Sequence, residues 1–225
     1  MAYILNLETA TKNCSVSIAK DGVTLSYREI AEQGYSHAER LHVFIEEVLQ
    51  ESNLSYSDLS AVAVSKGPGS YTGLRIGVSA AKGLCYALSI PLIAIDTLAI
   101  LAHQVNPSIL SKDDLIIPMI DARRMEVYSA IFNAGLEKIR EVQAEIISET
   151  SFSTIPQTIY FVGDCAEKCR SVLTSQNVVF LEEIVYPSAR EMSALSFDSY
   201  KKSDTVDVAY FEPYYLKDFF MTKKL

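Results

Sequence analysis

The sequence predicts an α/β protein of two lobes, each grown from the same unit of strands followed by alternating helices and strands. Three observations predict it. Short apolar runs with strand character alternate along the chain with segments of helical periodicity. Two of those runs end on an acid, Tyr3–Leu7 at Glu8 and Leu115–Ile120 at Asp121, and a second strand and turn follow each at nearly the same distance: Glu8 stands 13 residues before Asp21, and Asp121 stands 12 before Asn133. With 225 residues, 49% of them apolar, the chain can fill either one compact core or two small ones.

In the first half, Tyr3–Leu7 reads as a buried strand. Cys14–Lys20 alternates apolar and polar residues, as a half-buried strand does. Asp21-Gly22 is a hairpin signal, because the turn needs positive φ and glycine supplies it, and Thr24–Ile30 is the returning strand. Ser36 and Glu39 have the N-cap and N3 spacing of a capping box. Leu41, Phe44, Ile45, Val48 and Leu49 follow as the apolar stripe of a helix. Ala61–Ser65 is a short apolar strand, Leu74–Leu88 a helix stopped before Pro91, and Leu92–Ile95 another strand. In the second half, Leu115–Ile120, Val127–Phe132 and Lys138–Ile147 read as three strands, with a turn at Asn133-Ala134-Gly135; Ile159–Val162 is a fourth, and a helix covers Ala166–Ser175. A three-strand antiparallel meander, then helices alternating with strands, present twice, is the βββαβα pattern of the actin-like, ribonuclease-H-like architecture. The lobes divide as 1–105 and 106–225.

Charge and composition narrow the function. The formal charge is −8, and an acidic chain is a poor primary binder of RNA, whose phosphates need Lys and Arg. The small basic cluster Lys217, Lys223 and Lys224 reads as a solvated tail. Cys14, Cys85, Cys165 and Cys169 form no C-x-x-C pair and read as buried free thiols of a reducing compartment. Ile4–Leu7 is too short an apolar run for a signal peptide. Pro91 and Asp96 interrupt the apolar run from Gly83 to Ala102, which therefore reads as helix and strand rather than a membrane span. The expected setting is cytoplasmic, with no membrane contact.

The most informative segment is Ser65-Lys66-Gly67-Pro68-Gly69-Ser70-Tyr71-Thr72-Gly73-Leu74-Arg75-Ile76-Gly77. Between a strand and a helix, its backbone N–H groups are placed to cradle an anion, or its glycines shape a tight turn and a close helix contact. No Lys-Ser or Lys-Thr follows Gly73, so it is not a Walker A loop, and Gly67-x-Gly69 does not continue as the dinucleotide fingerprint. Farther along this helix Gly73, Gly77, Ala81 and Cys85 recur every four residues, a stripe of small side chains that drifts by only about 40° per step. Glycine inside a helix costs about 1 kcal/mol relative to alanine, so the stripe implies a close neighbour: the chain's own sheet, or the helix of a partner.

The string GPGSYTGLRIG, with Gly67, Pro68, Gly69, Ser70, Thr72, Gly73 and Arg75, closely resembles the signature of the TsaB (YeaZ) family and of its catalytic paralogue TsaD. Ile4-Leu5-Asn6-Leu7-Glu8-Thr9 resembles that family's first strand, Asp121 to Tyr128 the start of its second lobe, and Glu212-Pro213-Tyr214-Tyr215-Leu216 its C-terminal signature, so the resemblance spans nearly the whole chain. It implies an actin-like fold and a non-catalytic subunit. Such a subunit binds and activates a TsaD-like transferase that forms N6-threonylcarbamoyladenosine next to the anticodon of tRNAs reading codons that begin with A. It implies a TsaE-like ATPase as a further partner, a homodimer when alone, and tRNA contact only through the partner. It also implies pairing through N-lobe helices, for which the small-residue stripe and Glu46, Glu47 and Gln50 of the preceding helix are the candidates.

The alternatives are an independent ATPase or kinase of the actin superfamily, or a metal-dependent glycoprotease. The paralogue's H-x-x-x-H metal pair falls on Thr97 and Leu101 here, which cannot ligate a metal; His103 has no partner, and His37 and His42, five apart, point about 140° from each other on a helix. Glu8 and Asp121 keep the acids of the two phosphate loops without their glycines, so they read as vestigial, and a Cβ crowds the approach of phosphate. Of the late adenosine-binding glycines only Gly163 remains. No metal and no cofactor is expected.

Overall fold

The computed structural model describes residues 1–31 and 37–216. Ser36, the expected N-cap, and Lys217, Lys223 and Lys224 lie outside the described residues. The first lobe runs β1 (Tyr3–Glu8), β2 (Asn13–Lys20), β3 (Val23–Ala31), α1 (His37–Glu51), β4 (Ala61–Gly67), α2 (Tyr71–Leu88), β5 (Leu92–Asp96) and α3 (Thr97–Ala102). The second runs β6 (Leu115–Asp121), β7 (Glu126–Asn133), β8 (Lys138–Ile146), β9 (Ile159–Val162), α4 (Ala166–Arg170), β10 (Val178–Phe180) and α5 (Met192–Lys201). The sheets are ordered β3-β2-β1-β4-β5 and β8-β7-β6-β9-β10. In each, the first three strands are antiparallel and the last two run parallel to the first. Order and sense match strand for strand, so the duplication is topological as well as sequential. This is the actin-like arrangement.

The first sheet is covered on both faces. α1 and α2 lie on one, packing Leu41, Ile45, Val78 and Ala81 on Leu5, Val16 and Val64. α5 and the segment before it lie on the other, packing Ala189 and Met192 on Ile4, Ala63 and Ile93. β2 is therefore buried along almost its whole length, and the expectation of a half-buried strand needs correcting. Its polar half faces chain, not water: Ser17 donates to the Ala189 carbonyl at 2.7 Å, and Ala189 N–H donates to Ser15 at 3.0 Å. Small hydroxyls can be buried when each has a partner. β3, at the edge, does alternate.

A cut between residues 105 and 106 separates the two sheets, yet residues 187–216 return to the first one. Asn13 donates to the Pro187 carbonyl at 3.0 Å, and Val206 N–H to the Leu92 carbonyl at 2.9 Å. α3 joins the lobes. Leu98, Leu101 and Ala102 pack on Ile116, Phe132 and Val162 in one shared core. Asp96 N-caps α3 by accepting from Leu98 N–H at 2.8 Å, and its other oxygen pairs with Lys138 of β8 at 2.6 Å.

The second copy departs from βββαβα. No helix stands between β8 and β9; residues 147–158 form turns. The stretch Ser148-Glu149-Thr150-Ser151-Phe152-Ser153-Thr154 is rich in hydroxyls that satisfy the backbone locally, as in Ser148 N–H to Ser151 Oγ at 3.0 Å and Ser153 Oγ to the Thr150 carbonyl at 2.7 Å. α4 also stops at Arg170 rather than Ser175, where Ser171, Val172, Thr174 and Ser175 supply poor helix formers. β10, α3 and α5 are additions to the elements read from the sequence.

Candidate functional site

The glycine-rich block is a clamp. Ser70 N-caps α2, accepting from Gly73 N–H at 3.3 Å, while its own N–H donates to the Ala10 carbonyl at 2.6 Å. Thr9 Oγ1 donates to the Gly73 carbonyl at 2.8 Å. Three glycines let the helix settle onto this loop. A Cβ on Gly69 would stand 2.3 Å from the Ala10 carbonyl oxygen, one on Gly73 2.1 Å from the Thr9 carbonyl oxygen, and one on Gly77 2.3 Å from Thr9 Oγ1. On the far side, the Lys66 carbonyl accepts from Tyr214 N–H at 2.7 Å, and a Cβ on Gly67, which has φ 112°, would stand 2.7 Å from the Tyr214 carbonyl oxygen. Pro68 lines the cleft between the lobes, as do Ser70 and Thr72. The amides of Gly67, Ser70 and Gly73 are bound within the chain.

Gly73, Gly77, Ala81 and Cys85 are all buried within the chain, Gly73 against the loop at Thr9 and Gly77 against Thr9 and Val64, so of the two possible neighbours the structure describes the chain itself beside the stripe. Of the α1 residues expected beside it, Glu46 and Gln50 are exposed, but Glu47 is tied to Arg28 of β3 at 3.0 Å, next to the Arg28–Glu51 pair at 2.7 Å. The face these two helices turn outward carries other residues. Val43 on α1 is 43% exposed and Tyr86 on α2 is 84% exposed, while a Cβ added to Gly83 would meet nothing within 4 Å. The signal was in the stripe itself, because residues 79, 83 and 86 lie about 140–240° around the helix from Gly77 and Ala81. Arg75, also exposed, stacks on Tyr71 at 4.2 Å and donates to Tyr215 Oη at 3.2 Å. Lys82 holds the same C-terminal strap through the Ala209 and Phe211 carbonyls at 3.1 and 2.9 Å.

A cleft of about 720 Å³ separates the lobes, with Lys12, His37 and Tyr71 on one wall and Arg123, Tyr128 and Asp164 on the other. The two loop acids serve structure. Glu8 is fully buried and accepts Ala10 N–H at 2.5 Å. Burial pushes its carboxyl up to about 7, against the opposing pull of the Ala10 amide and of Ser65. Asp121 at the cleft rim accepts Arg123 N–H at 2.9 Å and pairs with Lys168. Burial likewise raises the Asp164 carboxyl, which accepts Asp121 N–H at 2.8 Å.

Thr97 accepts Gly67 N–H at 3.1 Å, and Leu101 is in the interlobe core. His37 hydrogen-bonds the Thr11 carbonyl, His42 is exposed, and His103 bonds the Ala99 carbonyl, its basicity lowered by burial. Among the described residues no three His, Cys, Asp or Glu side chains are grouped to hold a metal ion. The four cysteines are free and buried; burial pushes Cys14 up to about 12 and Cys85 and Cys169 to about 11, so none offers a thiolate near neutrality.

Comparison with known proteins places this geometry. A family model described as "TsaD: tRNA N6-adenosine threonylcarbamoyltransferase" matches residues 29–180. The tRNA threonylcarbamoyladenosine biosynthesis protein TsaB of Haemophilus influenzae is 30% identical over 234 residues, covering 99% of this chain and 96% of that one. Its counterpart in Escherichia coli is 29% identical over 230 residues, covering 99% and 97%. YeaZ from Pseudomonas aeruginosa superposes with a TM-score of 0.84 at 24% identity, covering 96% of this chain and 100% of that one, a likeness of fold.

Proposed function

The chain belongs to the TsaB family of tRNA threonylcarbamoyladenosine biosynthesis proteins, and from that premise we propose that it docks on a TsaD-like transferase and activates it, with no reaction of its own. The product is N6-threonylcarbamoyladenosine next to the anticodon of tRNAs reading codons that begin with A. The observation that carries the reading is the outward side of α1 and α2, where Val43 and Tyr86 are exposed and Gly83 has open space above it. A large exposed tyrosine on a regular helix is the kind of anchor that interfaces use. The commitment of Glu8 and Asp121 to hydrogen bonds within the chain supports a subunit without phosphate chemistry. The transferase supplies most of the grip on tRNA, since this chain carries −8. A TsaE-like ATPase completes the assembly, and alone two copies pair through the same face. The setting is cytoplasmic; no described helix is long and apolar enough to cross a membrane.

Two measurements test this. Depleting the protein is expected to remove threonylcarbamoyladenosine from bulk tRNA, read by nucleoside mass spectrometry; unchanged modification after full depletion overturns the reading. Gly83→Arg and Tyr86→Ala are expected to leave the melting temperature unchanged or, for Gly83→Arg, slightly raised, because an exposed helical glycine costs about 1 kcal/mol. Each is expected to weaken association with the transferase by on the order of tenfold or more, at about 1.4 kcal/mol per decade. Full affinity in both stable variants removes this face from the interface.

A further inference from the structure

Arg123 on the cleft wall and Arg124 beside it stand on backbone that arginine does not favour. The turn between β6 and β7 holds Arg123 at φ 74° and Arg124 at φ 53°, a left-handed region that glycine and asparagine ordinarily occupy. Side chains in this left-handed region crowd the backbone, and such residues persist where their surroundings hold them. Here the surroundings are explicit. Asp121 accepts Arg123 N–H at 2.9 Å, the Arg123 carbonyl accepts Glu126 N–H at 3.2 Å, and the Lys168 ammonium binds the Arg124 and Glu126 carbonyls at 2.9 and 2.8 Å. Both arginines are exposed. Lys12, exposed on the loop of the other lobe, lines the same cleft as Arg123, whose walls also carry Tyr71, Tyr128, Tyr214 and Tyr215.

Cations at a rim and aromatic rings behind them match a single nucleic-acid strand: guanidinium forks fit phosphate, and tyrosine faces stack on unpaired bases. We infer that the cleft mouth contacts a single-stranded segment of the tRNA substrate, its phosphates on Lys12, Arg123 and Arg124 and a base against the exposed Tyr214 of the cleft wall. The inference rests on the reading of the chain as a tRNA-modification subunit, and adds a direct contact to RNA held mainly by the partner. An RNA strand fits better than a free nucleotide. An enclosed polyphosphate site needs unoccupied amides, and those of Ser70 and Gly73 are bound within the chain, whereas Lys12 and Arg123 line the cleft with exposed side chains and Arg124 is exposed next to Arg123. Asp121, beside the pair, is bound by Lys168, and Asp164 on the cleft wall interacts with Lys12.

The deciding variant is Arg123→Asn combined with Arg124→Gly, which removes both cations and gives the turn the residues its backbone favours. Its melting temperature is expected to equal or exceed that of the parent. A labelled, unmodified tRNA transcript reading a codon that begins with A is titrated by anisotropy across a salt series, against the chain alone and against the chain with its transferase. Weakening by on the order of tenfold is expected, with a salt dependence of log K shallower by roughly 1.5, near 0.7–0.9 for each phosphate no longer neutralised. Lys12→Gln is expected to leave one further phosphate without its cation. Affinity and salt slope unchanged in both titrations overturn the inference. Calorimetry with AMP and with ATP covers the other source of the same chemistry: nucleotide binding lost in the variant, with tRNA binding unaffected, makes this a free-nucleotide site and also overturns it. Size-exclusion chromatography of the complex tests docking separately, so the two ideas fail independently.

Discussion

Gly77→Leu is expected to cost the protein its fold rather than a partner. The residue sits where α2 crosses the loop after β1, and its Cβ would stand 2.3 Å from Thr9 Oγ1 and 3.4 Å from Val64 Cγ2. Thr9 cannot turn away without releasing the buried Gly73 carbonyl that it holds at 2.8 Å. Leaving the buried Thr9 hydroxyl without its acceptor costs about 1–3 kcal/mol, and forcing the rest of a leucine between helix and sheet costs about 1–3 kcal/mol more. For a chain of this length each kcal/mol lowers the melting temperature by about 2–4 °C, so a drop on the order of 10 °C is expected. The mechanism has a sharper check than the magnitude. Gly77→Ala meets a side-chain atom, so Thr9→Ala in the same chain is expected to rescue part of its loss. Gly73→Ala meets the Thr9 carbonyl oxygen at 2.1 Å, a backbone atom that Thr9→Ala leaves in place, so no rescue is expected there. Thermal melts of the single and double variants give both coupling energies. Equal rescue of the two glycine variants would show that the clamp is not what the clash geometry says it is.

Those glycines also mark where sequence alone stops. Four-residue spacing places Gly73, Gly77, Ala81 and Cys85 on one face, and the cost of helical glycine says something approaches it closely. Neither says what, because spacing is a property of the helix and the neighbour is not. The duplicated meander was legible, since period-two runs, hairpin signals and the recurrence of Glu8 and Asp121 are local features. The solvent exposure of Cys14–Lys20 was not, because Ser15 and Ser17 are partnered by Ala189, more than 170 residues away, and a hydroxyl facing chain reads like one facing water. The missing helix between β8 and β9 was foreshadowed only by the run of hydroxyls after Ile147. The Arg123-Arg124 turn carries no glycine or asparagine, so its left-handed backbone had no local signal at all; contacts from Asp121, Glu126 and Lys168 create it.

Glu8 is expected to lower stability as pH rises from about 4.5 to about 7, and Glu8→Gln is expected to remove that contribution. Glu8 ends β1 in a fully buried position, and burial holds its carboxyl at about 7 in the folded chain against an ordinary 4.5. Below 4.5 the group is protonated in both states and burial costs nothing in charge. Between the two values the unfolded chain has released a proton that the folded chain retains, so unfolding becomes progressively easier. Above 7 both states are ionised, and the folded state carries the whole penalty of a buried carboxylate. A separation of about 2.5 units at about 1.4 kcal/mol each is on the order of 3 kcal/mol. Ala10 N–H offers the carboxylate one hydrogen bond at 2.5 Å, while Oε2 and Ser65 Oγ lie close without a well-aligned bond. Glutamine keeps an oxygen for Ala10, places an amide donor toward Ser65 and carries no charge at any pH. At pH 8 the variant is expected to be more stable by up to about 3 kcal/mol, and at pH 4.5 the two proteins are expected to be nearly equal. Urea unfolding at a series of pH values measures both. A wild-type curve that runs parallel to that of Glu8→Gln across this window would mean that Glu8 is folded in already ionised, with its burial compensated by contacts other than those to Ala10 and Ser65.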